Sequence, residues 1–249
     1  MLELKNITKV YGKKAALQDV SVAFAPGQIV GLFGENGAGK TTLMKCILGL
    51  IGHKGEVTLD GEAIGCGNIA RLSFATCEHS FFPRLSPKAH REFYREHFPR
   101  FNDKRFEALM DFFGLPMDKT LRSYSVGMQN QFEVVLALSQ GADYILMDEP
   151  FSAVDHLTKC TLQEELINIR QAENKTVLFV THDINEAVFL ADRVVLLSPR
   201  PSTIQKIYEI PLEQKRGRSD PLLLKIAAEI AKDINSGGQD IPNNYWGNL

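Results

Sequence analysis

Residues 34–41 read Gly34-Glu35-Asn36-Gly37-Ala38-Gly39-Lys40-Thr41, the form G-x-x-x-x-G-K-[ST]. That pattern belongs to a loop that cradles phosphate. Gly34, Gly37 and Gly39 free the backbone to turn its N–H groups inward, with Asn36 and Ala38 between them, so that successive amides meet phosphate oxygens. Lys40 reaches the β- and γ-phosphates, and the Thr41 hydroxyl suits Mg²⁺. The flanks agree. Gln28–Phe33 is a short apolar run that predicts a buried strand. Thr42–Leu48 predicts a helix whose start, at Thr42, faces the anion.

A phosphate loop alone fits a kinase, a GTPase or a motor, and a second segment narrows the chemistry. Tyr144-Ile145-Leu146-Met147 is apolar and ends in Asp148 and Glu149. A carboxylate at the end of a buried strand beside such a loop supplies the oxygen that Mg²⁺ needs, a role that falls to Asp148. Glu149, one residue further, points elsewhere and is suited to polarising an attacking water. The segment Asn174-Lys175-Thr176-Val177 lacks the Asp of an N-K-x-D guanine reader, which weighs against a GTPase.

These residues need a scaffold, and the rest of the chain predicts one. Its 249 residues are 44% hydrophobic and 23% charged, enough for a proper core. A net charge of −2 gives no basic excess of the kind that holds nucleic acid, so no nucleic-acid partner is expected. The start carries no apolar signal region, and no run of apolar residues is long enough to span a bilayer. Cys46, Cys66, Cys77 and Cys160 lack C-x-x-C spacing and read as reduced thiols of a cytosolic protein. Short strands with turns at Tyr11-Gly12 and Pro26-Gly27 are expected over residues 1–30. Helices are expected over 87–98 and 102–113, starting at Ser86-Pro87 and Asn102, with Phe93, His97, Phe106, Leu109, Met110 and Phe113 in the core. A helix over 125–139 precedes the acidic strand. Helix 156–172, strand 176–181, helix 184–191 and strand 193–198 then alternate, which implies a parallel sheet covered by helices. The stretch 214–218 reads as a linker, Pro221 starts a terminal helix with Leu223, Ala227, Ile230 and Ile234 on one face, and the last dozen residues read as loose.

With these motifs in order, the chain resembles the ATP-binding subunits of ABC transporters over nearly all of residues 1–200. Tyr11 sits where the family stacks an aromatic on adenine. Tyr124-Ser125-Val126-Gly127-Met128 sits at the signature sequence, and Ser152-Ala153-Val154-Asp155 at the loop that crosses the dimer interface. His182, in Thr181-His182-Asp183, matches the switch histidine at the γ-phosphate. The resemblance implies an α/β fold: a P-loop NTPase (RecA-like) core with an N-terminal antiparallel β subdomain and a helical subdomain. It implies residues 1–78 and 141–212 as the ATP-binding core, 79–140 as the helical subdomain, and 213–249 as a C-terminal helix and tail. It further implies ATP and Mg²⁺ as ligands and a second ATPase subunit, as a homodimer, whose Ser125, Gly127 and Asp155 face the other chain's ATP. A membrane permease partner and a position on the cytoplasmic face of the membrane follow. Lys40, Glu149 and His182 are the expected catalytic residues.

Two departures stand out. Val126 and Met128 replace a Gly and a Gln of the commonest signature, while Ser125 and Gly127 remain; the variant looks like that of bacterial drug- and lantibiotic-export ATPases. Where the family has a metal-side Gln, the best register gives Cys77, a poor oxygen-ligand substitute, with Glu78 adjacent as the alternative metal ligand. Export is favoured over import on the helical region, although 190–201 looks like importer ATPases. In that region Phe81 and Phe82, in a loop ahead of Pro83, are expected to be exposed and to dock the membrane subunit. A soluble ABC ATPase outside transport, or an ATP-binding regulator with little turnover, are the rival readings.

Overall fold

The computed structural model describes residues 1–76, 78–152, 154–211 and 217–237. The expected linker residues Gln214, Lys215 and Arg216, Cys77, and the expected loose tail lie outside them.

The N-terminal strands form because inward and outward residues alternate along them, and Gly12, at φ 59°, lets the chain reverse between the first two. Strand β1 (Leu2–Tyr11) pairs antiparallel with β2 (Lys14–Phe24) on one side. On the other side it pairs with β4 (Lys54–Leu59), which continues to β5 (Glu62–Ala63). Among the described residues these make a four-stranded sheet, β2-β1-β4-β5.

The second sheet has six strands in the order β10-β9-β3-β8-β7-β6. Here β3 is Ile29–Phe33, β6 Leu72–Ala75, β7 Tyr144–Asp148, β8 Thr176–Val180, β9 Arg193–Leu197 and β10 Ile204–Glu209. All neighbours run parallel except the edge pair β9–β10. Strands β3, β7 and β8 are buried along their whole length, which is why they read as continuous apolar runs rather than alternating ones. Because β6, β7, β8 and β3 are parallel neighbours, the loops leaving their C-terminal ends converge on one edge. That edge is where open α/β sheets bind ligands.

Helices cover the sheet, and side chains fix their starts. Ser86 accepts from the Ala89 N–H at the head of α2 (Pro87–His97), and Asn102 from the Arg105 N–H at the head of α3 (Asp103–Phe112). Asp155 caps α5 (His156–Glu173) and Asp183 caps α6 (Ile184–Leu190) in the same way. Helix α1 (Lys40–Ile47) follows β3, and α4 (Val126–Ser139) precedes β7. The terminal helix α7 (Pro221–Gly237) turns Leu223, Ile226 and Ile230 inward, with Ala227 and Ile234 at the margin. Arg218, just ahead of it, lies over the Phe189 ring at 4.1 Å.

One apolar cluster lies between the β2-β1-β4-β5 sheet, α1 and one face of the central sheet, around Phe24, Leu43 and Val180. The other runs from the opposite face into α2–α4, around Phe106, Phe132 and Phe179. Helix α4 joins the two zones: Phe132 packs edge-on against Phe81, His90 and Phe106, while later residues meet β6 and β7. Of the expected helical core, Phe106, Leu109 and Met110 are buried. Phe93 and Phe113 are half-buried and His97 is exposed. His97 ends α2, where the helix has left the core, and its ring stacks on Phe93 at 4.2 Å instead.

Candidate functional site

The loop between β3 and α1 is shaped by backbone that only glycine adopts freely. Gly37 and Gly39 take φ of 86° and 80°. At Gly39 an added Cβ would also meet Leu17 Cδ2 at 3.0 Å and the Ala16 carbonyl at 3.2 Å. The Ala38 N–H closes a turn on the Glu35 carbonyl at 3.0 Å, and the Ser202 hydroxyl pins the Ala38 carbonyl from across the fold. No side chain caps α1, so its first N–H groups stay open toward the loop, Thr42 among them.

Lys40 is buried, and its ammonium curls back to donate to the Gly34 carbonyl at 2.8 Å and the Glu35 carbonyl at 3.0 Å. Burial draws its pKa below the ordinary lysine value, and the carboxylates of Glu149 and Asp148 oppose that shift. A buried cation wrapped in backbone dipoles, with no acid among the described residues bonded to it, is a site built for an incoming anion.

The Thr41 hydroxyl donates to Asp148 Oδ2 at 2.7 Å. Asp148 is buried, which raises its pKa, while the Thr41 bond pulls it down. Thr41 and Asp148 supply two protein oxygens. That fits Mg²⁺, which takes one or two protein ligands and fills the rest from phosphate and water. Among the described residues no group of three or more His, Cys, Asp or Glu forms a self-sufficient metal cage.

Glu149 follows with φ 51°, a left-handed backbone held by its N–H on the Val180 carbonyl at 3.1 Å. Its Oε1 lies 3.5 Å from His182 Nδ1, just past the end of β8. The histidine is fixed from both sides. Thr181 donates to Glu186, Glu186 is ion-paired to Lys159, and Asp183 caps the next helix. This Thr181–Glu186–Lys159 brace was not read from the sequence; a polar residue three positions after the Asp183 cap was its one local sign.

The structure therefore gathers the loop, Lys40, Thr41, Asp148, Glu149 and His182 at one sheet edge. It holds the other expected residues apart. Tyr11 is 49% exposed, with Lys9 Nζ 4.9 Å from its ring centroid. Ser125 caps α4 by accepting from the Met128 N–H at 3.2 Å, Gly127 sits in that first turn, and Val126 between them is 69% exposed. Asp155 accepts from the Leu157 and Thr158 N–H groups. Among the described residues no hydrogen bond or ion pair links Ser125, Gly127 or Asp155 to residues 34–41.

Glu78, expected as a metal ligand, accepts from Lys45 Nζ with both carboxylate oxygens at 2.8 and 2.7 Å. Its side chain is 63% exposed, and its charge lies near enough to Asp148 to raise that carboxyl's pKa. One expectation is corrected. Phe81, expected with Phe82 in an exposed docking loop, is buried against His79, His90 and Phe132. Phe82 alone is half exposed, stacked on His90 at 5.8 Å.

Comparison with known proteins gives a consistent picture. The ABC transporter family model matches residues 17–152. An aliphatic sulfonates import ATP-binding protein of Burkholderia cenocepacia is 34% identical over 239 residues, covering 95% of this chain and 87% of that one. Its counterpart from Bacillus cereus is 29% identical over 245 residues, covering 95% and 97%. Among solved structures, a dimeric ATP-binding cassette bound to ADP and phosphate superposes with a TM-score of 0.74 at 23% identity, covering 86% of this chain and all of that one.

Proposed function

The chain belongs to the ABC transporter family, as an ATP-binding subunit that hydrolyses ATP to ADP and phosphate, and we propose how its residues divide that work. The observation that carries the proposal is the cluster at the sheet edge: a buried Lys40, the Thr41–Asp148 pair at 2.7 Å, and Glu149 Oε1 3.5 Å from His182.

Residues 34–42 bind the phosphates through backbone N–H groups, and Lys40 trades its two carbonyl partners for phosphate oxygens. Thr41 and Asp148 hold Mg²⁺, which neutralises phosphate charge when bound. Glu149 orients the attacking water and takes up its proton, and His182 steadies that carboxylate and the γ-phosphate. Hydrolysis by such a site is positioning and charge stabilisation, with no covalent intermediate. Tyr11 stacks on the adenine.

The subunit acts as a dimer, with a membrane permease, at the cytoplasmic face of the membrane. Ser125 and Gly127 of one chain complete the site of the other, and Asp155 lies at the seam between them. That arrangement accounts for an open, solvent-facing signature turn on this chain. The division into a core of 1–78 and 141–212, a helical subdomain of 79–140 and a C-terminal segment belongs to the same proposal.

We further propose that the transporter is an importer. The expectation of export rested on the helical region, and the two relatives described above are named for aliphatic sulfonate import. An organic anion of that class is the first substrate to try. Phosphate release from Mg²⁺-ATP by the purified wild-type chain, and its loss in Glu149→Gln, tests the ATPase assignment. Uptake of labelled alkanesulfonate by cells expressing the chain with its permease tests direction, and efflux in the same assay would overturn import.

A further inference from the structure

A buried acid outside the cluster just described bears on the same reaction. Glu133 lies on α4, two turns after the signature, in a stretch otherwise buried and apolar: Phe132, Val134, Val135 and Leu136. It is 1% exposed and has no cationic partner in any ion pair among the described residues. Its partners all come from one short segment. Oε1 accepts from the Ser80 N–H, and Oε2 accepts from the Ser80 hydroxyl at 2.9 Å. The backbone amides of Phe81 and Thr76 are also turned to it and favour its charged form.

That segment has a definite place. It leaves β6, which runs parallel to β7 with Ala75 opposite Met147, so Thr76 emerges beside Asp148. Ala75, Thr76, Asp148, Glu149 and Pro150 wall one small cavity, and Glu133 and Asn130 of α4 close it. The Asn130 Oδ1 there is buried without a hydrogen-bond partner. From the cavity the segment runs through Ser80 and buried Phe81 to exposed Phe82 at the head of the helical region.

A buried carboxylate is a costly way to fill an apolar helix face. An isosteric hydrocarbon avoids that cost but leaves the Ser80 N–H and hydroxyl without their acceptor, so what Glu133 provides is its hold on that segment. Its acceptors instead set where Thr76, Ser80 and Phe81 lie, and they link the strand-end acids to the helix that carries Ser125 and Gly127.

We propose that Glu133 is a positioning residue for ATP hydrolysis: it latches Thr76, Ser80 and Phe81 to α4, so that the strand-end acids and the signature turn move as one unit. The proposal rests on the ATPase assignment above.

Three variants test it. Glu133→Leu keeps the volume and removes the latch. It should fold, with a somewhat lower thermal midpoint because the Ser80 donors lose their acceptor, bind ATP within twofold of wild type, and lose about tenfold in kcat. Glu133→Gln keeps an acceptor for the Ser80 N–H and an amide for its hydroxyl, and should recover kcat to within about threefold. Ser80→Ala, which removes one donor, should lower kcat about threefold and add nothing to Glu133→Leu. A Leu variant as active as wild type would overturn the latch, as would a loss in kcat that tracks a loss of ATP affinity. Amide exchange of the 76–82 peptide gives an arm independent of hydrolysis. It should speed at least tenfold in Glu133→Leu and Ser80→Ala, and unchanged exchange in both variants refutes the latch even if neither hydrolyses ATP. Wild-type chain without ATPase activity but with this exchange pattern would overturn the enzyme assignment while keeping the latch itself.

Discussion

The phosphate loop and the signature turn both offer glycine and hydroxyl to a nucleotide, yet the chain treats them in opposite ways. At the loop, Lys40 is buried and Thr41 is bonded to Asp148, so that half of the site is assembled within one chain. At the signature, Ser125 only caps its own helix and Val126 faces solvent. A preorganised half-site binds without rearrangement, and an open one waits for a partner. Under the proposed function the contrast makes ATP binding and ATP hydrolysis separable: the first would belong to one chain and the second to two.

The largest break in that comparison is Lys40→Ala. Removing the one buried cation at the loop should lower ATP affinity by about tenfold or more and hydrolysis by about a thousandfold, read by nucleotide titration and phosphate release. Wild-type affinity in this variant would mean the loop is not the binding half.

Gly127→Asp addresses the other half. An acid in the first turn of α4 suits the helix, so the chain should fold, but it opposes phosphate with like charge. Turnover should fall by about a hundredfold, while ATP affinity measured on dilute, monomeric chain stays within twofold. If affinity falls with turnover, the signature serves its own chain's loop and the comparison fails.

A smaller effect is expected at Glu78, which is tied to Lys45 at the surface. Exposed pairs contribute little, so Glu78→Ala should lower hydrolysis by less than about threefold. A tenfold loss that extra Mg²⁺ reverses would return Glu78 to the metal.

The smallest effect is on stability. Burial pushes the Glu133 carboxyl up to about 7, against hydrogen bonds from Ser80, Phe81 and Thr76 that hold it down. Between the ordinary carboxylate range and about 7 the folded chain holds a proton that the unfolded chain has released, so this group costs stability as pH rises through that window. His79 and His90, which flank Phe81, have their pKa values lowered by burial and stay neutral across its upper part. Asp148 and Glu149 share the cavity and Tyr94 lies near on α2; in the comparison of wild type with Glu133→Gln their contributions largely cancel. Denaturant titrations should show wild type losing about 2 kcal/mol relative to Glu133→Gln between pH 5 and pH 8. Parallel curves would contradict the burial cost.

The loop half was legible in the sequence because its chemistry is local. Eight consecutive residues define the cradle, and Asp148 and Glu149 end an unbroken apolar run. The helix starts at Ser86, Asn102 and Ser125 were legible for the same reason: a cap bonds to an N–H two or three residues on. Contacts across the fold were not. Phe81 and Phe82 are equivalent as letters, and only the position of α4 buries the first against Phe132 and leaves the second out. Nothing local reveals that Glu78 pairs with Lys45, 33 residues earlier. Glu133 carried a faint sign, an acid among apolar neighbours on one helix, but its partner Ser80 lies 53 residues away. His97 fitted the helical period and failed because the period says nothing of where a helix leaves the core.

The central claim is that a complete catalytic site needs two chains. Light scattering of Glu149→Gln with and without Mg²⁺-ATP tests it most directly. Glu149 acts after ATP is bound, so the variant should be monomeric without nucleotide and accumulate as a stable dimer with it, the closed state being unable to reset. A chain that binds ATP and remains monomeric at every concentration tested would contradict the account.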